Sequence, residues 1–126
     1  MDVTPVVPAD RQVIDSYGRA SFRVSGVAHE GAILVFPDET VAWAPRRMSE
    51  ITEASLAPIL ARGGDVEILL LGCGARMLLV PKELRARLKG AGIVVDAMDT
   101  GAACRTYNVL MAEDRRVAAA LLPAEA

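Results

Sequence analysis

The sequence predicts an α/β fold: a single three-layer domain on a mixed, partly parallel sheet, with N-terminal β-hairpins and about three helices. In the first half, short apolar runs are separated by turn residues, which is typical of antiparallel hairpins. In the second half, apolar runs alternate with helical patterns, which favours crossover connections onto a parallel sheet. Hydrophobic residues make up 52% of the chain and aromatic residues only 4%, so closely packed small side chains are expected.

The first half of the chain is predicted to hold an extended arm and then strands. Residues 1–10 contain two prolines and predict the arm, which leaves residues 11–126 for the α/β domain. Residues 22–24 alternate apolar and charged, as a half-buried strand would, and the apolar run over residues 31–36 predicts a strong strand. Pro37 and Asp38 are expected to turn the last two strands into a hairpin. These strands either join the main sheet or form a second small sheet. They are expected over residues 13–16, 22–24, 31–36 and 40–43.

The second half is predicted to alternate helices and strands. Residues 66–71 form a near-continuous apolar run, which suits an inner strand buried on both faces. Pro81 suits the first turn of a helix that places Leu84 and Leu88 on its inner face. Thr100 is the expected N-cap of the last helix. A helix over 53–62 comes first, with Thr52 as its cap, and Pro58 inside the pattern is expected to split or shorten it. The elements that follow in chain order are a strand over 66–71, a helix over 81–89, a buried strand over 93–95, a helix over 100–113 and a strand over 117–122.

Charge and apolar content exclude several classes of function. The formal net charge is −2 and the sequence pI is about 5.4, so no nucleic-acid partner is expected. No apolar run approaches the ~20 residues of a membrane-spanning helix, and the first residues do not resemble a signal peptide. Two distant cysteines without a Cys-x-x-Cys pattern indicate a reducing compartment. The expected location is cytoplasmic, and attachment to the inner membrane through a protein partner is left open.

The segment Gly72-Cys73-Gly74 is the first candidate ligand site. Glycines let a backbone approach a ligand closely, as in nucleotide-binding loops. The dinucleotide and phosphate-loop patterns are both incomplete here, so no cofactor is expected, and a tight turn at the end of a strand is the structural interpretation. Cys73 would need a nearby base to act as a nucleophile, and His29 is the only histidine. One histidine and two distant cysteines form no ligand cluster, so no metal is expected.

The last predicted helix carries the second candidate. Arg105 and Asn108 are three residues apart and share a helical face. They either orient an anionic ligand near Gly72–Gly74, or Asn108 bonds a neighbouring backbone while Arg105 pairs with an acid or a carbonyl. Trp43 also has two interpretations, because it either packs the hairpin or anchors a protein partner. No catalytic residue is assigned.

The block from Thr100 to Pro123 resembles a known family. It reads Thr-x-x-Ala-Cys-Arg-Thr-Tyr-Asn-x-Leu and later Val-Ala-Ala-Ala-Leu-x-Pro, which is similar to the Mth-domain family of small, long-uncharacterised proteins. Cys73 departs from the family pattern, in which Thr is usual between the two glycines. Further matches lie at residues 14–18, 22–24, 70–74, 81–85 and 92–93, so the resemblance covers nearly the whole chain.

The resemblance implies a three-layer α/β fold on a mixed sheet and no established enzymatic activity. It also implies work through protein contacts, since a mitochondrial relative assists assembly of a respiratory membrane complex and bacterial relatives lie near protein-export genes. We therefore expect a non-enzymatic protein-interaction module for membrane-associated complexes, with protein partners in those complexes or in the export machinery. The alternative is a small-molecule-binding or enzymatic domain at Gly72–Gly74 with Arg105 and Asn108. The oligomeric state is left open.

Overall fold

Two sheets and three α-helices make up the computed structural model, which describes residues 10–124. The predicted arm over residues 1–10 lies outside the described part, apart from Asp10. The strands of the smaller sheet are β1 (Ile14–Tyr17), β2 (Ser21–Val24) and β3 (Val27–Glu30). They are antiparallel, with β2 in the middle, and form the second small sheet that the sequence left open.

The larger sheet has five strands: β4 (Ile33–Val35), β5 (Thr40–Ala42), β6 (Ile68–Gly72), β7 (Val94–Met98) and β8 (Val117–Leu121). Their order across the sheet is β5-β4-β8-β6-β7. β6 is parallel to both neighbours, with Leu70 opposite Ala119 on one side and Asp96 on the other. β4 is antiparallel to β5 and β8. The sheet is mixed, as predicted, and its parallel strands come from the second half of the chain.

Side chains of the larger sheet alternate between its two faces, and each face carries its own apolar cluster. Leu69 and Leu71 point into a cluster that includes Leu88 of helix α2 (Lys82–Gly90) and residues of the irregular segments between β5 and β6. Leu70 points into the opposite cluster, which is formed with helix α3 (Thr100–Ala112) and with β1 and β2. The sheet therefore lies between two other layers, which confirms the predicted three-layer arrangement.

Helix α3 packs an apolar stripe against the sheet. Ala103 and Tyr107 are four residues apart and fully buried on this stripe. The N-cap of the helix is Asp99, whose carboxylate accepts a hydrogen bond from the N–H of Ala102 at 2.8 Å. The prediction that Thr100 caps this helix is wrong by one residue, because the Thr100 hydroxyl is used in a tertiary contact described below.

The helix predicted after Thr52 is split into two short pieces. A 3-10 turn (Ala54–Leu56) leads into helix α1 (Ala57–Leu60). Pro58 lies in the first turn of α1, where its missing N–H leaves no hydrogen bond unmade. Thr52 Oγ1 accepts a hydrogen bond from the Ser55 N–H at 3.2 Å, but the N-cap of the 3-10 turn is Glu53, so the predicted cap at Thr52 is wrong by one residue. The helix is shorter than the sequence pattern indicates.

Two strands also differ from the sequence prediction. The pattern does not predict β3, because each of its residues is exposed or half-buried and no apolar alternation marks it. The buried strand predicted over residues 93–95 is β7, which begins one residue later and lies at the edge of the sheet, with Val94 66% exposed. Within residues 10–124, no helix is long and apolar enough to cross a bilayer.

Candidate functional site

The glycine loop meets the start of α3 at the carboxyl end of β6. A Cβ on Gly72 would lie 3.0 Å from Leu121 Cδ2 and 3.1 Å from both the Cα and the Oγ1 of Thr100. Only a residue without a side chain lets the β6 and α3 backbones come this close. The space between Gly72 and Thr100 is therefore filled by protein atoms and leaves no room for a ligand.

Thr100 joins three chain segments through one fully buried hydroxyl. Its Oγ1 accepts a hydrogen bond from the Gly74 N–H at 2.8 Å and donates one to the Leu122 carbonyl at 2.7 Å. The Thr100 N–H donates to the Gly74 carbonyl at 2.9 Å. Gly74 has a φ of +100°, which residues with a side chain rarely adopt, so this turn requires glycine. The polar groups of the loop serve structure, in agreement with the tight-turn interpretation.

Cys73 is buried between the two glycines. Its thiol donates weakly to the carbonyls of Leu71 and Leu78, at 3.6 and 3.7 Å. Burial raises the pKa of the Cys73 thiol, and the Asp99 carboxylate adds to the rise. His29, the only imidazole, lies on β3, whose neighbour β2 packs against the opposite face of the larger sheet. A raised pKa and a distant imidazole do not favour a nucleophile or a redox sensor.

Asn108 holds the first strand against α3. Its Nδ2 donates to the Ile14 carbonyl at 2.8 Å, and its Oδ1 accepts from the Ile14 N–H at 2.9 Å. The neighbouring Tyr107 hydroxyl donates to the Gln12 carbonyl at 3.0 Å and fixes the chain just before β1. Both ends of the Asn108 amide are thus paired with backbone, which explains a poor helix former in the middle of α3.

Arg105 lies on the exposed side of α3 and lines a hollow of about 310 Å³ together with Asn108 and Tyr17. Gly101 lets the Tyr17 ring rest directly on the helix, because a Cβ there would fall 2.3 Å from the Tyr17 hydroxyl oxygen. Within residues 10–124, Arg105 makes no ion pair with another side chain. Its guanidinium is therefore unpaired among the described residues and lies at the edge of a partly enclosed space. No three His, Cys, Asp or Glu side chains of the described chain group as a metal site.

The exposed side of the glycine loop lines a second hollow, of about 210 Å³. Cys73 and Gly74 form part of this hollow, together with Arg46, Arg47 and Arg76. The two α3 residues of the predicted site are absent from its lining and line the other hollow instead. Of the residues that the sequence joins into one candidate site, Cys73 and Gly74 thus line one hollow, and Arg105 and Asn108 line another.

Trp43 lies in the core and is only 7% exposed. Its Nε1 donates a hydrogen bond to the Ser55 carbonyl at 2.8 Å, and its side chain belongs to the same apolar cluster as Phe36 and Ile59. Of the two interpretations of this residue, the structure shows packing. So little indole surface remains exposed that a role as partner anchor has no support from this position.

Among residues 10–124, the most exposed apolar segment follows the glycine loop, and no sequence pattern marks it as functional. Met77, Leu78 and Leu79 are 54%, 37% and 82% exposed, in an irregular stretch between β6 and α2. Val80, the next residue, is buried in the core. The signal in the sequence is a four-residue apolar run, which pattern analysis interprets only as extended chain. Its exposure depends on tertiary structure and could not be predicted from the run alone.

Comparison with known proteins connects these features to a family. The family described as "Protein of unknown function (DUF498/DUF598)" matches residues 14–122, from the start of β1 to just beyond β8. The chain belongs to this family. The match includes both hollows and the exposed apolar segment, apart from Pro123 at the edge of the second hollow.

Solved structures confirm the resemblance to the Mth-domain family. A Bordetella pertussis protein described as a Mth938-like domain is 31% identical and superposes with a TM-score of 0.82, covering 99% of this chain and 92% of that one. A protein described as an outer membrane protein from Bartonella henselae is 38% identical, with a TM-score of 0.84 and coverage of 91% and 97%. The predicted α/β class and the observed topology therefore agree with those of solved relatives.

A curated relative carries a functional name. The zebrafish (Danio rerio) protein named NADH dehydrogenase (ubiquinone) 1 alpha subcomplex assembly factor 3 is 37% identical over 111 residues. The aligned region covers 88% of this chain and 64% of the zebrafish protein. This chain therefore matches less than two-thirds of that relative's length.

Proposed function

We propose that this chain is a non-enzymatic protein-interaction module that assists the assembly or biogenesis of membrane-associated protein complexes. The observation that carries the proposal is the relative named as an NADH dehydrogenase assembly factor, at 37% identity over 88% of this chain. The partners are subunits of such complexes or of the export machinery. The module meets them from the cytoplasm, at the inner membrane.

The use of polar groups at the predicted site supports a role without chemistry. The Thr100 hydroxyl and the Asn108 amide are paired with backbone groups, so neither is free to bind or activate a substrate. The Cys73 thiol is buried, and burial raises its pKa. The protein would therefore act through its exposed surface. A stable protein contact buries about 1,200–2,000 Å² of that surface and the partner's in total.

A second candidate function is small-molecule binding beside α3. One observation favours it: Arg105 is a guanidinium without an ion pair among residues 10–124, and it lines a hollow of about 310 Å³ with Tyr17. An anionic ligand would suit this charge. Such a ligand would contact α3 and β1, because Cys73 and Gly74 line the other hollow.

Deletion of the gene in its own host tests the proposed function. We expect native gels of the membranes to show less assembled NADH dehydrogenase and more partial complexes. Succinate dehydrogenase is the control complex, and its amount should not change. Re-expression of the wild-type chain should restore assembly. Normal amounts of every respiratory complex, together with normal protein export, in the deletion strain would contradict the proposal.

A further inference from the structure

Three consecutive apolar side chains are presented to solvent beside the glycine loop. Met77, Leu78 and Leu79 are each more than a third exposed, and Leu79 is almost fully exposed at 82%. Single exposed apolar residues are common on protein surfaces, but a contiguous group marks an interaction site more often. The unbranched methionine side chain adapts to the shape of a partner, and methionine is enriched at interfaces.

The segment that carries these side chains is fixed at both ends. Before it, the Cys73 N–H donates to the Met98 carbonyl at 2.8 Å, and Gly74 is held by two hydrogen bonds to Thr100. After it, Val80 is buried in the core and α2 begins two residues later. An anchored segment loses little conformational entropy when a partner covers it, which favours binding.

Three arginines lie around the hollow beside Leu78. Arg46, Arg47 and Arg76 line the hollow of about 210 Å³ to which Leu78 also belongs, and none of the residues 10–124 that line it carries a carboxylate. Arg47 pairs with Glu50 at 3.4 Å, whereas within residues 10–124 Arg46 and Arg76 make no side-chain ion pair. This face is therefore basic on a chain whose formal net charge is −2.

We propose that this face, the basic apolar surface made of Arg46, Arg47 and residues 76–79, docks a protein segment whose apolar side chains are flanked by Asp or Glu. The carboxylates pair with the free guanidinium groups, and the apolar side chains cover Met77 and Leu79. Complementary charge sets orientation and association rate, and apolar burial supplies affinity. The inference rests on the proposed protein-interaction function and names the surface and the chemistry of the partner.

An anionic bilayer is the alternative occupant of this surface, because apolar and basic side chains also bind membrane surfaces. The hollow beside Leu78 favours a protein segment, since a side chain can fill a concave site whereas a bilayer offers a flat surface. The apolar group also lies in an anchored irregular segment and does not form the amphipathic helix typical of interfacial anchors.

A displayed random-peptide library, selected on the full-length chain, tests the inference. We expect enriched peptides to combine two or more apolar residues with neighbouring Asp or Glu. A synthetic peptide with the enriched sequence should shift the amide resonances of residues 46–48 and 74–80. Its affinity should fall at least tenfold in Leu79→Ser and in the double variant Arg46→Glu, Arg76→Glu.

Matched controls separate the surface from general effects. Val109→Ser removes an apolar side chain that is 55% exposed on α3, and Arg115→Glu reverses a charge that makes only a weak 3.8 Å contact with Glu67. Both should leave peptide binding within twofold of wild type. A circular dichroism spectrum for each variant confirms that it is folded.

Several outcomes would overturn the inference. The first is a library in which no peptide is enriched, and the second is enrichment of peptides that lack acidic residues. The third is peptide binding that does not change when Leu79 or the arginines are replaced. Another is sedimentation of the chain with phosphatidylcholine–phosphatidylglycerol vesicles that depends on the same residues, since a bilayer would then be the occupant. If the peptide test fails while the deletion strain still lacks assembled NADH dehydrogenase, the surface is wrong and the assembly function stands.

Discussion

Gly74 and Thr100 are joined by two hydrogen bonds that run in opposite directions. The Gly74 N–H donates to the Thr100 hydroxyl at 2.8 Å, and the Thr100 N–H donates to the Gly74 carbonyl at 2.9 Å. This pair ties the turn after β6 to the first turn of α3. The exposed apolar segment begins just beyond it, so the stability of the junction and the presentation of the proposed docking surface are linked.

Removing the Thr100 hydroxyl should destabilise the junction. In Thr100→Val, the Gly74 N–H and the buried Leu122 carbonyl both lose their partner. The loss should be about 2–6 kcal/mol in the free energy of unfolding, because each of the two unsatisfied groups costs about 1–3 kcal/mol, and the half-buried Gly74 N–H should fall at the low end. Thr100→Ser keeps the hydroxyl and should lose only about 1 kcal/mol for the missing methyl group. Urea unfolding of both variants measures the difference, and equal stabilities would show that the hydroxyl is not needed.

Adding one methyl group at Gly72 should also destabilise the fold. The new Cβ would lie 3.1 Å from the Thr100 Cα, a backbone atom that cannot rotate away. We expect Gly72→Ala to lower the free energy of unfolding by about 1–3 kcal/mol, which is typical of overpacking. Gly90→Ala is the control, since a Cβ there meets nothing within 4 Å and should be neutral or stabilise α2. The account of this junction fails if both variants are equally stable.

Asn108 and Arg105 should contribute very differently to stability, although they share one helical face. Asn108→Ala frees both backbone groups of Ile14, and we expect a loss of about 1–3 kcal/mol with faster amide hydrogen exchange in β1. Arg105→Ala should change stability by less than about 0.5 kcal/mol, as is usual for an exposed side chain. Exchange measured by NMR on both variants checks this. Equal protection of β1 in the two variants would show that the Asn108 amide does not hold the strand.

The buried thiol and phenol of α3 predict a loss of stability in alkali. Burial raises the pKa of Cys104 from its ordinary 9.0 to about 12, and burial also raises the pKa of Tyr107. As the pH rises through the ordinary values, the unfolded chain loses these protons before the folded chain does. This stability is therefore fully present below about pH 8 and falls between about pH 9 and 12.

Urea unfolding at about pH 8 and pH 10 measures this alkaline effect. The fall in stability between the two values should be smaller in Cys104→Ala than in the wild type, because one of the titrating groups is gone. Both cysteines of the folded chain should also react slowly with a thiol reagent at neutral pH. A stability that does not change between the two pH values would contradict the burial of these groups in α3.

Local sequence patterns predicted the elements whose signal is local. The apolar run at residues 66–71 predicted an inner strand, and the alternation after it predicted the parallel part of the sheet. The pattern did not predict β3, because the residues of this strand bury little surface. The choice between Asp99 and Thr100 as the helix cap could not be made locally, since both are good caps and tertiary contacts use the Thr100 hydroxyl elsewhere.

The candidate site was harder to predict than the fold. The sequence shows that Arg105 and Asn108 share a helical face, but it does not show that β1 lies against that face and pairs with Asn108. The exposure of Met77 and Leu79 could not be predicted for the same reason, since it depends on tertiary structure. An apolar run looks equally suited to the core until the arrangement of neighbouring elements is known.

Complementation of the deletion strain tests most directly whether the chain works by surface docking and without chemistry. One variant combines Cys73→Ala with Arg105→Ala and removes the groups that could serve a ligand or a reaction, and the other combines Leu79→Ser with Arg76→Glu. We expect the first variant to restore assembled NADH dehydrogenase on native gels and the second to fail, at equal amounts of folded chain. Restoration by the second variant together with failure of the first would contradict the account.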